Sequence, residues 1–110
     1  MPIYINIGGL VAAGFDPTGN FLLTVSHSGR GVFAVGSWAR VARDNVPVYP
    51  KSGKAVGIGP LEGQAIEVTE RNYQTDELRL CSPNGAFELT YESGTLTVVS
   101  APNRPPGAAA

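Results

Sequence analysis

The sequence holds one cysteine, one histidine and one tryptophan in 110 residues, and charged side chains make up only 15% of it. Cys81 has no second thiol, so no internal disulfide forms, and a lone thiol does not build a zinc site. Eight Lys and Arg stand against nine Asp and Glu, for a net charge of -1. The basic residues are scattered, which argues against a surface that tracks nucleic-acid phosphates. No apolar run reaches the roughly 20 residues that a membrane helix needs. The opening stretch MPIYINIGGLVAAGF has no Lys or Arg ahead of its apolar residues, unlike the charged start of a secretory signal, so the expected location is cytoplasmic.

What the chain has in quantity is glycine and proline, 14 and 9 residues spread along its length, and these leave little room for helices. The segments between them are β-branched and aromatic: IYINI, NFLLTVS, GVFAVGSW, AIEVTE, ELRLCS, AFELTYE and TLTVVS. In AFELTYE, Phe87, Leu89 and Tyr91 point one way and Glu88, Thr90 and Glu92 the other, the alternation of a strand with one wet face. NFLLTVS breaks the alternation at Leu22, which predicts a strand covered on both faces. SWARVARD is compatible with a short helix, but its neighbours favour a strand in which Trp38 and Arg40 share a face and Arg43 lies opposite. APNRPPGAAA reads as a disordered tail from Pro102 to Ala110, leaving residues 1–101 as a single domain.

One stretch recurs. DPTGNFLLTV and SPNGAFELTY match at Pro17 and Pro83, Gly19 and Gly85, Phe21 and Phe87, Leu23 and Leu89, and Thr24 and Thr90. After a one-residue slip, Ser28 matches Ser93 and Gly29 matches Gly94, which predicts a bulge or a longer turn at His27. Both copies read as strand, Pro-x-Gly turn, strand, Ser-Gly turn, strand. The grammar resembles one blade of a β-propeller of the WD-repeat type, and the resemblance implies a meander. The segments SHSGRGVF, RVARD and GIGPLEGQ are similar to the cores of small bacterial all-β proteins, a resemblance that implies no activity. The expected fold is all-β: a small sandwich or flattened barrel of about six to eight antiparallel strands, built from two related three-stranded meanders.

Candidate chemistry is sparse. Adjacent residues on a strand face opposite ways, so Ser26 and His27 are poorly placed as a nucleophile–base pair. SGKAVGIGPLEGQ holds a Gly-x-Gly near Lys54, but Pro60 and a strand follow where a phosphate loop needs Gly-Lys-Ser/Thr and a helix. It reads as an adaptable loop. Cys81 aligns with Phe15, which predicts a buried, inert thiol. Glu88 and Glu92 lie about 13 Å apart on one strand, too far for a paired acid–base site.

The reading that follows is a non-enzymatic binding module with no cofactor and no metal. Trp and Arg dominate binding hot spots, and the chain gathers Arg30, Trp38, Arg40 and Arg43 in one region of sequence, close to the adaptable segment from Gly57 through Glu62 to Gln64. These residues are the expected partner surface. The expected partner is a protein, in the most concrete form a toxin enzyme capped by an immunity- or antitoxin-like inhibitor. Two alternatives stand beside it: a ligand-binding or enzymatic barrel with a polar mouth near His27, Arg30 and Tyr49, and an accessory subunit whose sheet edges pair with a neighbour.

Overall fold

The two Pro-x-Gly stretches close their turns in the same way. The Asp16 N–H donates to the Phe21 carbonyl at 3.0 Å, and the Ser82 N–H donates to that of Phe87 at 2.9 Å. The Gly19 and Gly85 N–H groups reach back to the Asp16 and Ser82 carbonyls, both at 2.9 Å. The Asp16 carboxylate accepts from the Phe21 N–H at 2.9 Å, where the Ser82 hydroxyl accepts from that of Phe87 at 3.0 Å. Gly19 and Gly85 sit at φ +78° and +74°, where a side chain would be strained.

These turns organise a computed structural model that describes residues 2–46, 48–72, 74–75 and 77–100. The tail predicted over Pro102–Ala110 lies outside them. Eleven strands follow in order: β1 Ile3–Asn6, β2 Leu10–Phe15, β3 Phe21–Ser26, β4 Gly29–Ala34, β5 Arg40–Arg43, β6 Lys54–Val56, β7 Ala65–Glu67, β8 Thr69–Glu70, β9 Leu78–Cys81, β10 Phe87–Glu92 and β11 Thr95–Ser100. A single 3-10 turn, Gly59–Leu61, is the sole helical element among the described residues. No helix there is long and apolar enough to cross a membrane.

The strands form three antiparallel sheets, ordered β1-β11-β10-β9, β5-β4-β3-β2-β8 and β6-β7. The five-stranded sheet is the middle layer. One face packs Leu10, Ala13, Leu22 and Phe33 against Ile5, Leu78, Leu89, Tyr91, Leu96 and Val98 of the four-stranded sheet. The other packs Val11, Ala12, Leu23, Val25 and Val32 against Ala55, Leu61 and Ile66. The protein is thus an all-β sandwich, with the unbroken apolar run of NFLLTVS in a strand of the middle layer that is covered on both faces. A register shift in β2 between Leu10 and Ala12 lets the adjacent Val11 and Ala12 serve the same cluster. Tyr91 ties two layers together: its buried hydroxyl donates to the Ile7 carbonyl at 2.7 Å and accepts from the Leu10 N–H at 3.3 Å.

Four expectations change. Among the described residues the strands number eleven, because the middle of the chain builds β5 to β8. The SGKAVGIGPLEGQ segment is no open loop: β6 and the 3-10 turn bury Ala55 and Leu61 over the middle sheet. AIEVTE divides at Val68, with β7 pairing β6 and β8 pairing β2. No slip separates the meanders at His27, because both second turns hold two residues: Ser26 pairs Gly29, and Glu92 pairs Thr95. The Pro-x-Gly turns are alike in local structure, which is a narrower statement than duplication of the chain; the second turns differ, with Ser93 and Gly94 at positive φ where His27 and Ser28 are not.

Candidate functional site

Arg30 and Asp44 form the hub of the β5 edge. Two Arg30 side-chain nitrogens donate to one Asp44 carboxylate oxygen at 2.6 and 3.0 Å, while the other oxygen accepts from the Arg30 N–H at 2.8 Å and the Val46 N–H at 3.2 Å. The remaining guanidinium nitrogen donates to the Val56 carbonyl at 3.0 Å. This hub fixes the end of β5 and ties it to β6. Burial pushes the Asp44 carboxyl upward, but the Arg30 side chain, the Arg30 and Val46 N–H groups and the Arg30 charge outweigh it and hold the carboxyl below its ordinary range.

β5 is an outer strand of the middle sheet, and a bulge sets its faces. Ala42 pairs Val32 and Arg40 pairs Phe33, so Val41 is an extra residue. The bulge puts Arg40 on the same face as Arg43, contrary to the simple alternation expected from the sequence. The Arg40 guanidinium lies 5.3 Å from the Phe33 ring centroid. Arg43 pairs with Gly31, whose missing Cβ leaves the space beside the Thr24 hydroxyl open.

Between this face and β1 runs a polar cleft of ≈ 250 Å³, lined among others by Asn6, Thr24, Ser28, Gly31, Arg40 and Arg43. The Thr24 hydroxyl donates to the Gly31 carbonyl at 3.2 Å, and that of Ser26 to the Gly29 carbonyl at 3.0 Å. Among the described residues Arg30–Asp44 is the one ion pair, and neither Arg40 nor Arg43 has a carboxylate within bridging distance.

The residues expected at a partner surface gather at this edge but divide between its faces. Arg40 and Arg43 border the cleft, whereas Gly57, Glu62 and Gln64 belong to the segment packed on the opposite face, where Gly59 meets Ala42. Gly57 is buried, its N–H donating to the Gln64 carbonyl at 2.9 Å; Glu62 and Gln64 are exposed. Trp38 precedes β5 instead of lying in it, with φ +60°. It is 6% exposed, and its ring meets Phe87 edge-on at 5.2 Å, so it is a core residue.

His27 is exposed in the β3–β4 turn, and its Nδ1 lies 3.1 Å from the Tyr49 hydroxyl. The Ser26 hydroxyl turns instead to Ser28 and the Gly29 carbonyl. Neither His27 nor Tyr49 lines the cleft, so the polar mouth lies beside Ser28 and not at the histidine. Cys81 is exposed, a correction to the buried thiol expected from its alignment with Phe15. Strand alternation explains it: Leu78 and Leu80 turn inward on β9, leaving Arg79 and Cys81 outward. The cleft itself had no sequence signal, since Asn6 at the end of β1 and Arg40 and Arg43 on β5 are far apart in the chain and border it from two different sheets.

Compared with protein families, curated proteins and solved structures, the chain matches none.

Proposed function

We propose that this protein is a non-enzymatic binding module whose partner is another protein, engaged at the β5 edge. One observation carries the reading. Among the described residues, five large apolar side chains stand exposed, and four of them, Val41, Val46, Tyr49 and Val56, share this region. They lie on β5, on the chain that leaves it, or on β6, which Arg30 ties to the end of β5. Exposed apolar side chains in the same region as Arg are the composition of an interface. An outer strand with unpaired backbone groups adds a template for main-chain pairing. The most concrete version is an immunity- or antitoxin-like inhibitor that caps a toxin enzyme. The small size and the loops held by stacked sheets support that version.

The test is affinity capture from the native host, followed by measurement of binding to the captured protein. Arg40→Ala is expected to weaken the complex by about 1–3 kcal/mol while leaving the thermal midpoint unchanged. Glu62→Ala, on the other face of the edge, is expected to weaken it less. Equal binding by wild type and Arg40→Ala would move the interface elsewhere.

A further inference from the structure

The geometry points to the cleft between β1 and β5 as a binding site for a small oxyanion, a carboxylate or phosphate group held by Arg40 and Arg43. Its lining counts three guanidinium groups, Arg30, Arg40 and Arg43, against the single carboxylate of Asp44, which leaves two positive charges. The whole chain carries -1. Asp44 does not quench the two outer arginines, because both its oxygens are taken by Arg30 and the Val46 N–H. Arg40 and Arg43 are therefore left with donors in the fork geometry that matches a carboxylate or phosphate.

The rest of the cleft leaves recognition to the arginines and provides the space. Thr24 and Ser26 spend their hydroxyl protons on the Gly31 and Gly29 carbonyls. With those protons committed, the donors left to an anion are the guanidinium groups of Arg40 and Arg43. Ser28 stands exposed at the rim, its hydroxyl 3.2 Å from that of Ser26. A volume of ≈ 250 Å³ is below that of common cofactor pockets, which start near ~300 Å³, yet ample for one oxyanion and its waters. The anion arrives either free or as an acidic side chain of the protein partner; the second source rests on the binding-module reading, and the first does not.

Calorimetric titration separates these sources with three probes: inorganic phosphate, citrate and an aspartate-rich hexapeptide. At least one is expected to bind with a stoichiometry of one. Its affinity should fall about tenfold in Arg40→Gln and in Arg43→Gln, and stay unchanged in Lys54→Gln, which removes the same charge outside the cleft. Binding of phosphate or citrate identifies a free ligand, and binding of the peptide alone identifies an acidic partner. Amide shifts on titration of the wild type should centre on Ser28, Gly29 and Gly31, a readout that needs no variant. Failure of all three probes to bind overturns the site, as does a loss in Lys54→Gln equal to that in Arg43→Gln. None of these titrations uses the protein partner, so a failed capture experiment would overturn the binding-module reading and leave the cleft standing.

Discussion

A bulky residue in the left-handed region of backbone space costs roughly 1–2 kcal/mol, and Trp38 holds φ +60° because its buried indole, packed on Phe87, more than offsets that cost. Its N–H donates to the Ala34 carbonyl at 2.7 Å, which locks the tight link between β4 and β5. Trp38→Ala is expected to lose about 3–5 kcal/mol in urea unfolding. Trp38→Gly should cost no more, although Gly is ordinarily the worse substitute, because it relieves the positive φ. Two aspartates tie stability to acid. Burial raises the Asp16 carboxyl, but the Thr18 hydroxyl and the N–H groups of Phe21, Thr18 and Asn20 more than reverse this, so it ends below its ordinary value, as Asp44 does. A carboxyl lowered in the folded state stabilises fully above its unfolded value of about 4, and that contribution is lost as pH falls through the folded value. The thermal midpoint should therefore hold from neutral pH to about 5 and fall below 4, with a shallower fall in Asp44→Asn.

At the scale of elements, the Pro-x-Gly turns are the most legible features of the chain. Pro17 and Gly19 announce the β2–β3 turn because only the turn's own chemistry, a preset φ and a positive φ, is needed to read it. Gly19→Val should destabilise by about 1–2 kcal/mol, and Gly85→Val by a similar amount, measured as a shift in the urea midpoint at constant slope. The NFLLTVS strand is equally legible, since a short apolar run between turn residues must bury both of its faces. The β5 edge is not. SWARVARD shows an alternation that is correct for a regular strand, but Val41 is a bulge and Trp38 lies in a turn, and both depend on partners in β4 and β10. Cys81 misleads for a related reason: its alignment with Phe15 carries identity of position but not of layer, and β9 is an outer strand while β2 is covered on both faces.

At the scale of the whole molecule, the all-β class and the stacked sheets follow from composition and strand pattern, while the cleft requires knowing that Asn6, at the end of β1, comes to border the same space as residues of β3 to β5. The sequence carries the arginines of that cleft, but their common face is a product of packing. The pairing of the first strand with the last has a mechanical consequence. β1 runs antiparallel to β11, with Ile3 opposite Val98 and Asn6 opposite Thr95, so the outward ends of both strands lie at the same end of the pair. Tension applied through those two ends opens the hydrogen bonds one after another, like a zipper, instead of loading them together. Pulled in this way in an optical trap, the protein should peel at low force. Tethering instead through Ser93→Cys, in a Cys81→Ser background, and the β1 end pulls the two strands past each other, and the rupture force should rise. Equal forces in both geometries would show that β1 and β11 are not what resists tension. Unequal forces, low in peeling and high in sliding, make the same sandwich soft along one direction and stiff along another, a property fixed by which bonds share the load and not by how many there are.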